Sequence, residues 1–316
     1  MNATKFVMST FRNVALLVVA GILIGGFVAE KTRNTVHAQE FVERLPSVPQ
    51  GQGSKVNTTV ADISTILMQS AFRLEGPAKA YPGRAAVGTV FMMGKPIAAQ
   101  PGKLAYVLVT AAHVLDDVEG QLASVLVRRK DKDGGFQPYM WPIFVRTADG
   151  KNLYTKHAEA DVAAMFVNMP NDLNVELVPT TYLADDKTIQ DLEIHPGDEL
   201  MCVGFPYGLA VNEWGFPILR TGVISSYPLT PAKKVKFIGF DFRVFGGNSG
   251  GPVYFRFSNR YYQGSTHLGN ITQSIIGLVT EQVSDTATGT PISLARIVPA
   301  QFISETINML GEYTGK

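Results

Sequence analysis

Residues 246–252 read Gly-Gly-Asn-Ser-Gly-Gly-Pro, and this stretch carries the strongest structural information in the chain. A serine hydroxyl that acts as a nucleophile must be exposed, with backbone N–H groups beside it to hold a developing negative charge. Glycines allow the backbone to curl into such a nest and let another chain approach closely. The stretch therefore predicts a reactive Ser249. The alternative for this stretch alone is an ordinary glycine-rich hairpin turn.

Two further motifs contain the residue types that activate a hydroxyl. Residues 108–114, Leu-Val-Thr-Ala-Ala-His-Val, run from an apolar strand into two alanines and His113, and small residues leave room around an imidazole. Residues 161–167, Asp-Val-Ala-Ala-Met-Phe-Val, open an apolar strand with Asp161, whose carboxylate can be buried against the histidine and fix its tautomer. Taken singly, each motif is better explained as a structural histidine or a strand-edge aspartate.

The three motifs together are more specific than any one of them. His113, Asp161 and Ser249 follow one another at intervals of 48 (161 − 113) and 88 (249 − 161) residues. The order His, Asp, Ser is that of chymotrypsin and differs from that of subtilisin and the α/β-hydrolases. The chain resembles the chymotrypsin-like serine peptidases, especially the disulfide-free bacterial branch that includes the HtrA (Deg) proteases. Residues 197–209, followed by 221–225, are similar to the opening hairpin of that branch's second barrel.

The resemblance implies a role for each motif residue. Ser249 attacks the scissile carbonyl, His113 accepts its proton and later gives it to the leaving amine, and Asp161 orients His113. The N–H groups of Gly247 and Ser249 form the oxyanion hole. His157, four residues before the aspartate, is the nearest competing histidine, but no small-residue strand precedes it, which predicts a loop residue.

The chain departs from parts of the family pattern over the region of resemblance, about residues 60–310. Relatives that are activated by cutting a propeptide carry an aspartate before the nucleophile, where it pairs with a new terminal amine. Asn248 stands there, as in the bacterial branch, and a neutral amide cannot form that buried ion pair. HtrA proteases continue into PDZ domains. Here 67 residues (316 − 249) follow Ser249, and we expect the last strands and a helix to use them.

Specificity is less readable from the sequence. The resemblance places the primary pocket beside the residues just before Ser249 and beside residues 277–282, which gives Thr280 and Gln282 as candidate substrate-binding residues. Arg243 occupies the family position at the pocket floor, where it would favour an acidic side chain. Glutamyl-specific relatives have a histidine where Val279 stands, however, and an Arg243 that points outward is the preferred reading.

The rest of the chain contains short apolar runs rich in β-branched residues, which are separated by turn residues. These runs form two sets, with a polar stretch from residue 168 to about 191 between them. This pattern predicts an all-β fold. We expect two six-stranded-type β-barrels with the active site in the cleft between them, and a C-terminal helix whose apolar residues have helical spacing after Pro299. The predicted boundaries are about 59–175 for the first barrel, about 190–297 for the second and about 299–310 for the helix, within a protease domain at 59–316. The predicted strands are 86–93, 104–110, 124–127, 143–145, 162–167, 199–203, 221–225, 235–242, 252–255, 275–280 and 292–297.

The start of the chain has the pattern of an export segment. Lys5 and Arg12 precede an apolar run at residues 14–29. The run is sixteen residues long. This length is intermediate between the apolar core of a cleaved signal peptide, about 7–15 residues, and a membrane-spanning helix of about 20 residues. We expect residues 1–38 to be a signal peptide, cleaved before Gln39, or a membrane anchor. Residues 39–58 are expected to be a flexible spacer, and the alternative for the apolar run is a buried helix of the domain itself.

Composition excludes several classes of protein. With 28 basic and 27 acidic residues the net charge is +1, so no strong field is available for nucleic acid. Cys202 is the one cysteine, which excludes an intrachain disulfide and a Cys-based zinc cluster and predicts a buried, inert thiol. No histidine has metal-ligand spacing, and we expect neither a metal nor a cofactor.

The leading hypothesis is a serine endopeptidase that acts on exported or envelope polypeptides in the periplasm, outside the cell or from an inner-membrane anchor. A catalytically silent, protease-like binding or scaffold protein is the alternative, but it has no chemical need for an intact triad. Two observations disfavour a lipase or esterase. The order of the three catalytic residues differs from that of these enzymes, and Pro252 and the strand after it are incompatible with the helix that follows a nucleophile elbow.

Overall fold

The computed structural model describes residues 62–313, except for residues 171 and 174. The predicted signal or anchor, residues 1–38, and the predicted spacer, residues 39–58, lie outside the described residues. Within the described part, none of the helices has the length and apolar character that crossing a membrane requires.

Strands dominate the described chain. The strands are β1 (Ala71–Pro77), β2 (Ala85–Pro96), β3 (Leu104–Thr110), β4 (Leu122–Lys130), β5 (Phe136–Phe144), β6 (Thr155–Lys156), β7 (Ala163–Phe166), β8 (Val178–Pro179), β9 (Glu199–Gly204), β10 (Ile218–Ile224), β11 (Ile238–Asp241), β12 (Pro252–Tyr262), β13 (Ser265–Ser284) and β14 (Pro291–Pro299). The α-helices are α1 (Ile63–Ser70), α2 (Ala112–Asp116), α3 (Asp186–Asp191), α4 (Ala232–Val235) and α5 (Ala300–Met309), and 3₁₀ turns lie at Thr180–Tyr182 and Pro206–Gly208.

The strands form two sheets. The first has the order β5-β4-β1-β2-β3-β7-β6, with β8 parallel to β2, and the second closes as the barrel β10-β11-β14-β13-β12-β9. The predicted all-β architecture with two sheet units and a C-terminal helix is confirmed. The first unit differs from the expected barrel in detail, because seven of its eight strands pair as an open path from β5 to β6, and β8 pairs with β2 off that path.

Burial explains why the predicted strands form. In β3, buried and exposed residues hardly alternate, and most of the strand is buried. This pattern is typical of a strand that is covered on both faces. The closed barrel encloses its own apolar cluster, with Leu200, Phe240, Phe255 and Ile297 fully buried. Full burial of side chains of this size contributes about 1.5–3 kcal/mol each.

Two helices complete the core of the first sheet. α1, which the sequence analysis did not predict, is capped by Asp62, whose side chain accepts hydrogen bonds from the N–H groups of Ser64 and Thr65. α5 follows Pro299 and buries Phe302 and Ile307 in the same apolar cluster as the first sheet. The C-terminal helix of the second barrel's chain segment therefore covers the first sheet.

Candidate active site

His113 and Asp161 are brought together by the pairing of β3 with β7. The antiparallel register sets Thr110 opposite Ala163, so the end of one strand lies beside the start of the other. His113 is in the short helix α2 directly after β3, and Asp161 precedes β7. The carboxylate holds the histidine twice: its Oδ2 is 2.6 Å from the ring Nδ1, and its Oδ1 accepts the backbone N–H of His113 at 2.9 Å. This geometry fixes the orientation of the ring.

The two groups shift each other's pKa in opposite directions. Burial lowers the pKa of His113, but the hydrogen bond and negative charge of Asp161, with smaller effects of Asp117 and Asp116, outweigh it and hold the pKa above its ordinary value. Burial raises the pKa of Asp161, but the His113 side chain and backbone N–H groups outweigh that effect and hold its pKa below the usual range. Asp161 is therefore ionised near neutral pH, which places the ring proton on Nδ1 and leaves the Nε2 lone pair free to accept a proton.

Ser249 lies in the connection between β11 and β12, against Thr89 of β2. Its carbonyl accepts the N–H of Thr89 at 2.8 Å, and the next N–H, that of Gly250, donates to the Val279 carbonyl at 2.7 Å. The side chain is partly exposed, and its hydroxyl donates to the carbonyl of Thr280 at 3.0 Å. Among the described residues the hydroxyl's hydrogen bond is thus to β13 and not to the His113 ring.

The backbone around Ser249 forms a nest with two free donors. The carbonyl of Gly246 accepts the N–H of Tyr207 at 2.5 Å, and the carbonyl of Asn248 accepts the N–H of Gly251 at 2.9 Å. In a trans peptide the N–H points away from the carbonyl of the same unit. The N–H groups of Gly247 and Ser249 therefore point to the opposite side, and neither donates to another group within residues 62–313. These are the two donors that the family resemblance predicts for an oxyanion hole.

Glycine is required at two positions of this nest. Gly247 has φ +95°, and a Cβ there would lie 2.2 Å from the Phe205 carbonyl oxygen. Gly250 has φ +85°, and a Cβ there would lie 2.1 Å from Thr110 Oγ1. Both the left-handed backbone and the close approach exclude a side chain. The Gly-rich motif is therefore a tight junction between the two sheets as well as a turn.

Asn248 faces inward. It is 2% exposed, and its Nδ2 has no hydrogen-bond partner within the described residues. The Cβ that Gly204 lacks would lie 3.5 Å from the Asn248 Oδ1. The side chain before the nucleophile is thus a buried neutral amide.

The three candidate specificity residues lie around the segment that leads to Ser249. Gln282 Oε1 accepts the N–H of Val244 at 2.6 Å, and Thr280 is buried, with its hydroxyl on the Arg296 carbonyl at 3.2 Å. Arg243 is exposed, and its guanidinium lies 5.2 Å from the Phe245 ring centre. The Arg243 side chain therefore lies against an aromatic ring at the surface.

A pocket beside the histidine adds residues that sequence reasoning did not identify. It is lined by His113, Asp161, Phe237, Thr280 and Glu281. The Phe237 side chain is 38% exposed, and no local pattern in the sequence marks it. Only the closure of the second barrel brings the segment before β11 next to His113.

The competing histidine and the lone cysteine have structural roles. His157 lies outside the helices and strands with its side chain 7% exposed, where Nε2 is 3.0 Å from Glu305 Oε2 and the ring packs on Phe302. It therefore helps to hold α5. Cys202 is buried in β9, as predicted, and burial raises the pKa of its thiol to about 12, although the charge of Arg220 acts in the other direction. A thiol with that pKa is not a nucleophile at neutral pH.

Comparison with known proteins identifies a family. A family model described as the trypsin-like peptidase domain matches residues 88–256, more than half of the chain, and this range includes His113, Asp161 and Ser249. Among solved structures, the chain is similar to the protease Anisep from Arthrobacter nicotinovorans, with 13% identity, a TM-score of 0.45, and coverage of 77% of this chain and 95% of that one.

A second solved structure is similar to a comparable extent. It is a thermostable serine protease, AL20, from an extremophilic microorganism, with 12% identity, a TM-score of 0.40, and coverage of 77% of this chain and 96% of that one. No curated protein sequence matches the chain.

Proposed function

This chain belongs to the trypsin-like peptidase domain family, and from that premise we propose that it is a serine endopeptidase that uses Ser249, His113 and Asp161 to hydrolyse peptide bonds. The observation that carries the proposal is the pair of hydrogen bonds that the Asp161 carboxylate accepts from the ring and the backbone N–H of His113. Two contacts from one carboxylate set both the tautomer and the ring orientation, which is what a general base requires.

In the first half of the reaction, the Ser249 hydroxyl leaves the Thr280 carbonyl and donates its hydrogen bond to His113 Nε2. The oxygen then attacks the scissile carbonyl carbon. A C–O bond forms, the hydroxyl proton passes to Nε2, and the carbonyl electron pair moves onto the oxygen. The N–H groups of Gly247 and Ser249 stabilise this oxyanion as hydrogen-bond donors, and one such donor contributes on the order of 3–4 kcal/mol.

In the second half, the C–N bond breaks and the imidazolium of His113 gives its proton to the leaving amine. Water repeats the attack on the acyl-enzyme, and the proton passes through Nε2 back to Ser249. Asp161 stays ionised throughout and stabilises the imidazolium, in agreement with the raised pKa of His113 and the lowered pKa of Asp161.

A polypeptide substrate is supported by the edge of β13. The pairing of β13 with β12 runs as far as Leu278, and beyond it β13 pairs with β14 through Gln282 and Ser284. In the described chain, Val279 still exchanges backbone hydrogen bonds with Gly250 and Gly251 on the other edge, and from Thr280 onward that edge has no strand partner. An extended peptide can add to such an edge through main-chain hydrogen bonds, and the Thr280 carbonyl that Ser249 releases is an acceptor for it.

A fluorophosphonate probe tests the proposed nucleophile. We expect the wild-type protein to be labelled and Ser249→Ala and His113→Ala to remain unlabelled while folded, because both side chains lie at the surface of the site. Ser265→Ala, at an exposed serine near the tip of the β12–β13 hairpin, is the matched control and should be labelled like the wild type. Labelling of Ser249→Ala, or a silent wild type, contradicts the proposal.

The substrate proposal has a separate readout. Digestion of a mixed peptide library followed by mass spectrometry should give products cut at internal bonds, which defines an endopeptidase. Removal of single residues from chain ends would contradict the endopeptidase assignment and leave the nucleophile assignment standing.

We further propose that the enzyme is exported and acts on exported or envelope proteins. Support comes from the sequence alone, namely Lys5 and Arg12 before the apolar run at residues 14–29. A reporter fused to residues 1–60 should leave the cytoplasm. Mass spectrometry of the mature protein then separates cleavage before Gln39 from an intact anchor, and a soluble, cytoplasmic, full-length chain contradicts both.

A further inference from the structure

The hydroxyl of Thr89 joins two backbone segments that flank the nucleophile. Thr89 lies in β2 and is fully buried. Its Oγ1 donates to the carbonyl of Gly247 at 2.7 Å and accepts the N–H of Phe205 at 3.1 Å. We propose that Thr89 is a positioning residue for the oxyanion hole, which it holds in its donating geometry through these two hydrogen bonds. This inference rests on the proposed function, since it names a further residue of the same site.

Gly247 needs external restraint because glycine has few conformational restrictions of its own. Its φ of +95° is one of several broad regions open to a residue without a Cβ. The peptide before Gly247 is held by Tyr207, whose N–H donates to the Gly246 carbonyl at 2.5 Å. The peptide after Gly247 is held by Thr89. With both flanking peptides held, neither φ nor ψ of Gly247 can rotate freely, and its N–H stays aimed at the site.

Through its contact with Phe205, the Thr89 hydroxyl also supports the hydrogen bond from Tyr207 to Gly246. Phe205 begins the turn that carries Tyr207, and the Gly208 N–H donates back to the Phe205 carbonyl at 2.8 Å. When the Thr89 hydroxyl fixes the Phe205 N–H, it therefore also fixes the position from which Tyr207 holds Gly246. One hydroxyl thus acts on both peptides of Gly247.

The backbone of Thr89 is equally restrained. Its N–H donates to the Ser249 carbonyl at 2.8 Å, and its carbonyl accepts the Thr110 hydroxyl at 2.7 Å. Thr110 ends β3, three residues before His113. The strands β2 and β3 of the first sheet therefore set the position of the Thr89 hydroxyl, and β3 also places the general base His113. The oxyanion donors and the base are consequently positioned by the same strands.

The test separates the hydroxyl from the volume of the side chain. Thr89→Val keeps the shape and removes both hydrogen bonds, and Thr89→Ser keeps the hydroxyl. The readout is the second-order rate constant for phosphonylation of Ser249 by a fluorophosphonate probe, whose phosphonyl oxygen occupies the oxyanion position. We expect Thr89→Val to lower this constant about tenfold or more, and Thr89→Ser to stay within about threefold of wild type, since small misplacements of catalytic donors cost on that order.

The pH dependence of the same rate constant excludes an indirect effect. The hydrogen bonds of Thr89 do not involve the His113 ring or Asp161, so the midpoint of the pH profile should be equal in Thr89→Val and wild type. Thr306→Val is the matched control: Thr306 is also fully buried, and its hydroxyl donates to the Phe302 carbonyl at 2.6 Å, within α5. That variant should keep the wild-type rate constant even where its melting temperature falls.

The outcomes are distinguishable. A wild type that does not react with the probe overturns the proposed function and this inference together. A reactive wild type with an equally reactive Thr89→Val overturns the positioning role alone, and so does a Thr89→Ser variant as slow as Thr89→Val. If Thr89→Val does not fold, Thr89→Ser and Thr89→Ala, which differ by one oxygen atom, give the same comparison. Equal rate constants for that pair also overturn the role.

Discussion

At the residue scale, the His113–Asp161 pair determines the ionisation of the site. The carboxylate receives two hydrogen bonds from one histidine, at 2.6 and 2.9 Å. Each bond favours the ionised carboxylate, and the resulting charge favours the protonated ring. The ionised carboxylate therefore stabilises the positively charged imidazolium that forms during the reaction.

The substitution Asp161→Asn should change both rate and pH dependence. The new side-chain amide can present its donor to Nδ1 and stabilise the wrong tautomer, so we expect the rate to fall by about 10⁴, as in the template case of this mechanism. The base acts as a neutral ring, and activity therefore rises with pH through the His113 pKa. That midpoint should lie above about 6.5 in wild type and shift to lower pH in Asp161→Asn, because the charge that raises it is gone.

An NMR titration of the His113 ring, assigned by its loss in His113→Ala, measures the shift directly. Asp117→Asn is the control, since Asp117 also raises the His113 pKa but has a smaller effect than Asp161. Its midpoint should move less than that of Asp161→Asn. An unchanged midpoint in Asp161→Asn contradicts the electrostatic account.

At the element scale, the connection between β9 and β10, residues 205–217, is held by arginines of the first sheet. Arg73 of β1 donates to the Gly208 carbonyl at 2.7 Å. Arg128 of β4, 7% exposed, donates to the Gly215 carbonyl at 2.8 Å and lies between the rings of Phe72 and Phe216, 4.5 and 4.4 Å from their centres. The connection that carries Tyr207 therefore depends on contacts with the other sheet.

Arg128 is a buried cation whose hydrogen-bond partners are backbone carbonyls. Its Nη2 also donates to the carbonyls of Gln69 and Ala71, at 2.8 and 3.0 Å. Burial lowers its pKa to about 9, which leaves it charged at neutral pH. Arg128→Met should leave these buried carbonyls without donors and lower the free energy of unfolding by about 3 kcal/mol. The melting temperature, measured by calorimetry, should fall by about 6–12 °C.

Arg129→Met is the matched control on the next residue of the same strand. Arg129 lies over the Tyr139 ring and pairs with Asp172 at 2.6 Å, with both side chains about half exposed. An exposed pair of this kind contributes about 0–1 kcal/mol. Equal melting temperatures of the two variants would contradict the role of Arg128 in holding the connection.

At the scale of the whole molecule, the neutral side chain of Asn248 affects whether the protease domain needs a newly formed terminal amine for activation. A buried aspartate there would need a cationic partner, whereas the buried amide leaves no unpaired charge. The nest is held by Tyr207 and Thr89, which are internal residues. The activity of the protease domain should therefore not depend on a particular terminal amine.

A series of proteins that begin between about residue 40 and residue 58 tests this expectation. We expect kcat/KM on one peptide substrate to vary by less than about tenfold, or about 1.4 kcal/mol, across the series. Activity at one start residue only, lost when that amine is acetylated, would establish a terminal-amine switch and overturn the interpretation of Asn248.

Local pattern determined several parts of this protein. Residues 246–252 and the order of the three motifs led to the family, and β3 matches its predicted bounds at Leu104–Thr110. The C-terminal helix was predicted from spacing after Pro299 and begins at Ala300. α1 was missed, although Asp62 directly before the apolar residues Ile63, Ile66 and Leu67 is a helix-start signal. Each of these motifs and elements is marked by a short run of neighbouring residues in the sequence.

Only the tertiary structure decided which distant groups meet. Thr89 lies 158 residues from Gly247, and its burial, its register beside the nest and its two hydrogen bonds follow from the packing of one sheet on the other. Phe237 reaches the pocket of His113 for the same reason. Side-chain periodicity reports which face of a strand is buried but not what lies against that face. The reactive residue types were therefore readable from the sequence, whereas the groups that hold the backbone around them required the three-dimensional fold.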